Sequence, residues 1–268
     1  MPLTPFQSKV AILLSINRTE DSHLAGGAGL HFKPDSIRYS IDLDYFHDSE
    51  ERVASAFTED RKLLLKNNFL CKVEMNQPGY IRCIVSKNNE STKIEWAHDS
   101  SWRFMPVQFE KEIGFILHPI DLTINKILAL AGRDEPRDLL DVIHTHESIL
   151  PIGAQCWAAC GKDPGFNPLS LLELLKRRGR FHKEDFMRLN LTQPVNLLEL
   201  KQKWLAMLQE AESFARIAPP DDLGCLYYST IINKFIEPKK FINSKEYIKH
   251  FGRPGGIIPK IIPHPNSY

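Results

Sequence analysis

Residues 38–48, RYSIDLDYFHD, place two carboxylates inside one of the most apolar, strand-like runs of the chain. In a β-strand alternate side chains share a face, so Asp42 and Asp44 point the same way, about 7 Å apart. Two ionised carboxylates on one face repel each other, and burying them unpaired is costly. Mg²⁺ or Mn²⁺ binds such oxygen ligands together with substrate phosphates. We therefore predict that Asp42 and Asp44 hold a divalent metal ion.

The Asp-x-Asp motif alone does not select one function, because it also occurs in glycosyltransferases, nucleases, phosphatases and solvated edge strands. Gly26 and Gly27 precede it by about one strand and a short turn, and adjacent glycines let backbone N–H groups approach a phosphate. A third acid, Glu95, lies in another strand-like run, with Asp99 as its nearest competitor. Three carboxylates around one or two metals are the geometry of two-metal phosphoryl transfer.

Composition places few restrictions on the partner. The 268 residues include 34 basic and 33 acidic side chains, so no global charge favours nucleic acid or a membrane. Five cysteines without a CxxC pair predict reduced thiols rather than a zinc site or a disulfide framework. The apolar run at 10–14 is too short for a signal core or a membrane span. We expect a cytoplasmic protein with no membrane partner.

The order of elements predicts an α+β protein. A helix at 5–18, strands around the two glycines and the two aspartates, and a helix capped by Ser49 come first. Three strand-like runs with turn residues between them then predict a meander. We expect a mixed-sheet domain over 1–150, with its boundary between 118 and 150, a helical domain over 151–250 and an extended or disordered tail over 251–268.

Four segments in this order resemble a known family. They are LAGGAGLHF, YSIDLDYF, KIEW and TINKILALAGRDEPRDLLDV. The chain from about residue 20 to 150 resembles the nucleotidyltransferases of the polymerase-β superfamily, and more specifically the AbiEii/AbiGii toxin family. The resemblance implies a mixed-sheet nucleotidyltransferase core. It also implies transfer of a nucleoside monophosphate from a nucleoside triphosphate (NTP) to an RNA, such as tRNA, or to a protein, with Mg²⁺ or Mn²⁺ as cofactor. An antitoxin protein is an implied partner.

Carried over to these positions, the resemblance puts Gly26 and Gly27 at the phosphate-side turn. Asp42 and Asp44 become metal ligands, and Glu95 becomes the third acid. Just before the aspartates, Arg38 and Ser40 could contact a triphosphate, and alternation places Ser40 on the face of Asp42. Arg38 could equally be solvated.

The resemblance also puts Lys126 near the nucleotide phosphates, with the Pro-Arg-Asp segment that contains Arg137 bracing it. The spacing by itself allows an ordinary reading, in which Asp138 and Asp141 pair with Lys126 or Arg137 in a network between two helices. Both readings stay open at this point.

Two rival functions remain. One is a catalytically inactive nucleotidyltransferase-like module that only engages a partner such as an antitoxin. The other is an Asp-x-Asp glycosyltransferase, which does not require the glycine pair. The most basic run, KRRGRFHK at 176–183, could hold an RNA backbone or could be a solvated helix end.

Overall fold

The computed structural model describes residues 3–32, 36–241 and 246–260. The chain divides into two units. Unit 1 comprises residues 1–122, 183–195 and 254–256, and unit 2 comprises residues 123–182, 196–253 and 257–268. The first segment of unit 1 ends inside the interval 118–150. The segment 183–195 joins unit 1 although the sequence pattern assigns it to the helical region.

The helices are α1 (Pro5–Leu14), α2 (Gly26–Leu30), α3 (Glu50–Lys66), α4 (Pro119–Gly132), α5 (Pro136–Ser148), α6 (Ile152–Lys162), α7 (Pro168–Arg178), α8 (Lys183–Met187) and α9 (Leu197–Ile217). The first strands are β1 (Ser22–Ala25), β2 (Asp42–His47), β3 (Leu70–Gln77), β4 (Tyr80–Lys87), β5 (Glu90–His98) and β6 (Trp102–Arg103). The others are β7 (Gln108–Glu110), β8 (Gly114–Ile116), β9 (Leu226–Ser229), β10 (Lys234–Ile236), β11 (Tyr247–His250) and β12 (Arg253–Pro254).

Unit 1 is built on a seven-stranded mixed sheet in the order β3-β4-β5-β2-β1-β8-β7. The predicted meander is confirmed, because β4 pairs antiparallel with both β3 and β5. Strand β2 is central and pairs parallel with β5 and antiparallel with β1. This central position brings the Asp-x-Asp strand beside the strand that carries Glu95.

Alternation along β2 divides its side chains between two environments. Leu43 and Tyr45 are buried in a core that also contains Trp96 from β5 and side chains of α1 and α3. Asp42 and Asp44 therefore lie on the opposite face of the sheet. Helix α3 begins as predicted, because the Ser49 side chain accepts a hydrogen bond from the Arg52 N–H and so caps its first turn.

Unit 2 contains helices α5, α6, α7 and α9 together with the strands β9–β11. The sequence predicts a helical domain over 151–250; the structure has α-helices up to residue 217 and strands from residue 226 onward, where β9 pairs antiparallel with β10 and β11. Aromatic and β-branched residues in LYYS, KFI and YIKH favour these short strands. Trp157, Phe214 and Tyr227 form part of a buried cluster between the helices and this small sheet.

The predicted extended tail is described only to residue 260, and residues 261–268 lie outside the described part. Within the described part, residues 251–260 contain no helix, and Gly255 donates its N–H to the Ser101 carbonyl. No helix among the described residues has the length and apolar character needed to cross a membrane.

Candidate active site

The pairing of β2 with β5 places four charged side chains next to one another on one face of the sheet. Asp42 lies opposite Lys93, and Asp44 lies opposite Glu95. Neighbouring residues in register share a face, so all four side chains project away from the α1/α3 core. The sequence predicts three of these four positions, and the structure brings those three together.

Lys93 links two of the carboxylates. Its Nζ lies 2.9 Å from Asp42 Oδ2 and 2.8 Å from Glu95 Oε1. Burial alone would lower the pKa of Lys93, but its hydrogen bonds to Glu95 and Asp42 outweigh that effect and raise the pKa above its ordinary value. Lys93 is therefore a protonated cation within the carboxylate group.

Arg82 on β4 adds a second cation beside Glu95. Its Nε lies 3.0 Å from Glu95 Oε1 and 3.0 Å from the Tyr80 hydroxyl. Burial lowers the pKa of Arg82, and the hydrogen bonds and charge of its partners more than compensate, so that its pKa is raised. Glu95 thus has two basic partners, from its own strand and from the neighbouring strand.

Gly26 and Gly27 form the turn from β1 into α2, directly against this site. Gly26 has a φ of +57°, and a Cβ atom there would overlap the Asp44 carboxylate. A Cβ on Gly27 would lie 2.9 Å from Arg38 Nη2 and 3.2 Å from Ser40 Oγ. The close approach of the backbone to Asp44 therefore requires glycine at residue 26, and the glycine pair lies beside the aspartate strand as the sequence predicts.

Arg38 and Ser40 lie on the approach to β2 and are both buried. Arg38 Nη1 donates to the Tyr39 carbonyl at 3.1 Å, and Ser40 Oγ donates to the Asp42 carbonyl at 2.8 Å. The segment 183–195 pairs with this approach, because the Tyr39 N–H donates to the Asn190 carbonyl and the Thr192 N–H donates to the Ile37 carbonyl. The structure therefore holds Arg38 beside Gly27 through a segment that is distant in sequence.

The two candidates for the third acid differ in position. Glu95 lies within β5 and in register with Asp44, whereas Asp99 follows the end of β5. The Asp99 N–H donates to the His47 carbonyl, at the far end of β2 from Asp42. The geometry therefore favours Glu95 as the acid that accompanies the Asp-x-Asp pair.

Lys126 belongs to unit 2 and is held in an ion-pair network between α4 and α5. Its Nζ lies 3.2 Å from Asp138 Oδ1 and 2.8 Å from Asp141 Oδ2, and its side chain is 6% exposed. Arg133 also pairs with Asp138. Burial raises the pKa of Asp138, but Lys126 and Arg133 hold it below its ordinary value.

The structure therefore contains the ion-pair network between two helices that the sequence analysis gives as the ordinary interpretation of these residues. Arg137, which the sequence proposes as a second phosphate contact, is half-buried in the first turn of α5. Nucleotide contacts of Lys126 and Arg137 remain predictions.

The donor chemistry of the site suits a divalent cation. Asp42, Asp44 and Glu95 offer the carboxylate oxygens that Mg²⁺ and Mn²⁺ prefer, and a cation, the Lys93 ammonium, already lies between two of them. As the side chains stand, the described residues contain no group of three or more His, Cys, Asp or Glu arranged to hold a metal. A metal ion bound to Asp42 and Glu95 would compete with the Lys93 ammonium for these carboxylates.

Lys93 and Arg82 are not predicted from the sequence. A signal for Lys93 was present, because Lys-x-Glu on one strand places the lysine on the same face as the glutamate. Arg82 gives no such signal, since its position opposite Glu95 depends on the register between β4 and β5.

Comparison with known proteins supports the fold. No model of a known protein family matches the chain, and no curated protein matches its sequence. Among solved structures, a candidate nucleotidyltransferase from Helicobacter pylori matches with a TM-score of 0.50 and 16% identity, covering 79% of this chain and 94% of the other. JHP933 from Helicobacter pylori matches with a TM-score of 0.50 and 16% identity over 79% of this chain and 91% of its own.

MenT4, a nucleotidyltransferase toxin from Mycobacterium tuberculosis, matches with a TM-score of 0.51 and 15% identity. The match covers 80% of this chain and 83% of MenT4. At these identities the matches establish the fold. The chain has the mixed-sheet α+β fold of nucleotidyltransferases, and the resemblance predicted from the sequence is confirmed at that level.

Proposed function

We propose that the protein is a metal-dependent nucleotidyltransferase that moves a nucleoside monophosphate from an NTP to an acceptor, with release of pyrophosphate. The observation that carries this proposal is the grouping of Asp42, Asp44 and Glu95 on one sheet face beside the Gly26–Gly27 turn. A chain with the same fold could carry other residue types at these positions.

Asp42 and Asp44 would hold Mg²⁺ or Mn²⁺, with Glu95 as a further ligand or as the group that orients the acceptor hydroxyl. When bound, the metal supplies charge neutralisation at the phosphates and favours attack by the acceptor oxygen. The backbone at Gly27 would lie along the triphosphate, with the Arg38 guanidinium and the Ser40 hydroxyl as hydrogen-bond donors to it. Lys126 and Arg137 are further phosphate contacts that the family resemblance proposes.

We propose an RNA acceptor first, with tRNA as the first RNA to test, and a protein acceptor second. The basic run supports RNA in part, because Lys176, Arg177 and Arg180 are exposed at the end of α7 and in the following residues. Lys176 Nζ lies 3.4 Å from Glu173 Oε1, so part of the positive charge of the basic run is already balanced within the chain. MenT4 is a nucleotidyltransferase toxin, which supports a toxin role for this chain. An antitoxin is then the proposed partner. The cytoplasm, where NTPs are available, is the proposed location.

Transfer of a radiolabelled α-phosphate tests the reaction. The protein is incubated with each of the four NTPs, Mg²⁺ or Mn²⁺, and total cellular RNA or protein, and label is followed into both acceptor fractions. We expect transfer by the wild type and by Asp99→Asn, and loss of transfer in the Asp42→Asn/Asp44→Asn double variant. The nature of the labelled fraction identifies the acceptor class.

The alternative is a binding module that has kept the fold without the reaction. The ion pairs of Lys93 with Asp42 and Glu95 favour it, because they balance the carboxylate charge without a metal. NTP binding that does not depend on metal, without label transfer to any fraction, would support this alternative. Transfer that is equal in the wild type and the double variant would contradict both functions for this site.

A further inference from the structure

We propose that Lys93 is an exchangeable counter-ion of the active site, which holds Asp42 to Glu95 and is displaced when a divalent metal ion binds. This inference rests on the proposed function, because it assigns a role to a residue toward the metal of that reaction. It makes Lys93 a positioning residue that the family resemblance does not supply.

The Lys93 Nζ spans two neighbouring strands, since it contacts Asp42 on β2 and Glu95 on β5 at 2.9 and 2.8 Å. Asp42 Oδ2 is therefore already engaged by a positive charge. A metal ion bound to the same carboxylate would lie close to the ammonium, and the two cations would repel each other.

The Lys93 side chain is 27% exposed, whereas its partner Asp42 is 6% exposed and Glu95 17% exposed. A lysine ends in a flexible four-carbon chain, so the ammonium can swing toward solvent while both carboxylates stay in the sheet. The fixed part of the site is the carboxylate pair, and the movable part is the lysine.

Glu95 Oε1 also contacts Arg82 at 3.0 Å, so Glu95 keeps a basic partner after Lys93 leaves. Asp42 would then exchange one cation for another. The displaced ammonium remains on the sheet face where the triphosphate is proposed to lie, which makes the exchange compatible with substrate binding.

The test uses Lys93→Gln, with Lys93→Arg as the conservative variant and Lys72→Gln as the matched control. Lys72 lies on β3 in the same cross-strand row, since it pairs with Ile84, which pairs with Lys93. The Lys72→Gln substitution therefore removes the same charge from the same face of the sheet, two strands away from Lys93. Mn²⁺ binding is measured without nucleotide, from the electron paramagnetic resonance signal of free Mn²⁺, and thermal unfolding is measured in EDTA.

We expect Lys93→Gln to bind Mn²⁺ about tenfold more tightly than the wild type, because one competing charge interaction of ordinary size is removed. Its Tm in EDTA should fall, since Asp42 and Glu95 lose the cation that joins them. Lys93→Arg should bind Mn²⁺ no more tightly than the wild type, and Lys72→Gln should match the wild type in both measurements.

A measurement on the wild type keeps the proposal testable if Lys93→Gln does not fold. Amine acetylation followed by mass spectrometry reports how accessible each lysine is. We expect acetylation of Lys93 to rise severalfold when Mn²⁺ is added, while acetylation of Lys72 stays constant. Constant acetylation of Lys93 at a Mn²⁺ concentration that saturates the protein would contradict the exchange.

The outcomes separate this inference from the proposed function. Equal or weaker Mn²⁺ binding by Lys93→Gln, with a wild type that binds Mn²⁺ and transfers label, would overturn the exchange and leave the nucleotidyltransferase proposal intact. Mn²⁺ binding by Lys93→Gln but not by the wild type would also support the exchange, because Lys93 would then fully exclude the metal. Failure of every variant to bind Mn²⁺, together with no label transfer, would remove both.

Discussion

At the residue scale, the site depends on how closely Gly26 approaches Asp44. The backbone at Gly26 has a φ of +57°, and any Cβ there would overlap the Asp44 carboxylate. Gly27 meets only the end of the Arg38 side chain and the Ser40 hydroxyl. The two positions therefore differ in how well they tolerate a side chain larger than that of glycine, although they are neighbours in the sequence.

We predict that Gly26→Ala lowers the free energy of unfolding by about 1 to 3 kcal/mol, because alanine is strained at positive φ and the Asp44 side chain must move. The same variant should lose metal-dependent NTP binding. Gly27→Ala should cost less stability, since the guanidinium of Arg38 can shift. Urea denaturation and equilibrium NTP binding measure both effects.

Gly132→Ala is the control, because a Cβ there meets nothing within 4 Å. It should leave both measurements close to those of the wild type. If Gly26→Ala bound NTP as well as Gly132→Ala did, the turn would have no role in the site.

At the element scale, the α4–α5 pair is held by buried charges. Lys126 is 6% exposed, and the side chains of Asp138 and Asp141 are fully buried. We predict that Lys126→Met lowers the free energy of unfolding by about 3 kcal/mol or more, because two buried carboxylates lose their shared cation. Denaturation by urea measures this, with NTP binding measured on the same samples.

Lys203→Met is the comparison for a lysine in an exposed pair. Lys203 pairs with Glu147, and both side chains are about half exposed. Its loss should cost less than about 1 kcal/mol. A Lys126→Met variant that is as stable as Lys203→Met but no longer binds NTP would show that Lys126 serves the nucleotide and not the helix pair.

The start of α6 gives a prediction about pH. Glu237 accepts a hydrogen bond from the Ala154 N–H at 2.8 Å, and burial raises the pKa of Glu237 to about 7. The folded state therefore binds this proton more tightly than the unfolded state does. The resulting stabilisation is complete at acidic pH and is lost as the pH rises toward 7.

We expect Glu237→Gln to remove this pH dependence, because the amide keeps an acceptor oxygen but does not ionise. The variant should gain on the order of 1 to 3 kcal/mol over the wild type at pH 8 and little at pH 4.5. Thermal unfolding across this pH range measures the difference. Glu173→Gln, which changes an exposed glutamate, should show no such change, and a flat difference for Glu237→Gln would contradict the account.

Local patterns in the sequence predict some of the strands and not others. The alternation around Asp42 and Asp44 predicts β2 and its two faces, and the turn residues predict the meander. The pairing of Asp42 with Lys93 depends on the long-range register of β2 with β5, and the pairing of Arg82 with Glu95 depends on the register of β4 with β5. Local patterns do not contain either register, although Lys-x-Glu does place Lys93 on the face of Glu95. The strands of unit 2 were missed because three or four residues are too few to show a periodicity.

At the scale of the whole molecule, the two units carry buried groups that respond to acid in opposite directions. In unit 1, burial lowers the pKa of His23 to about 4 and that of His47 to about 2. The unfolded state takes up these protons first, so their contribution to stability is complete above the ordinary histidine pKa and is lost as the pH falls below it. In unit 2, protonation of Glu237 acts in the opposite direction and stabilises the folded state as the pH falls. Burial also lowers the pKa of the half-buried His144 and His146 of unit 2, so these two side chains offset part of that effect.

We predict that a shift from pH 7.5 to pH 5.5 destabilises unit 1 relative to unit 2. Hydrogen exchange measured by mass spectrometry reports each unit separately, after correction for the intrinsic effect of pH on exchange. Peptides from β1 and β2 should lose more protection than peptides from β10, which directly precedes Glu237. The same change in both units would contradict the assignment of the titrating groups.

The division into units shows a further limit of prediction. Composition and pattern place a boundary near 118–150, but residues 183–195 return to unit 1 and pair with the approach to β2. Hydrogen bonds from Tyr39 to Asn190 and from Thr192 to Ile37 join residues about 150 positions apart. No local signal in a single sequence indicates such a pairing, although it holds Arg38 in the site.

The central claim is that the carboxylate face of unit 1 binds a metal and an NTP. Equilibrium binding of each NTP tests it without knowledge of the acceptor, with Mg²⁺ or with EDTA, for the wild type, Asp42→Asn/Asp44→Asn and Asp99→Asn. The account predicts that the wild type and Asp99→Asn bind at least one NTP only with metal, and that the double variant binds it at least about tenfold more weakly. Equal binding by the double variant, or no metal-dependent binding by the wild type, would contradict the claim.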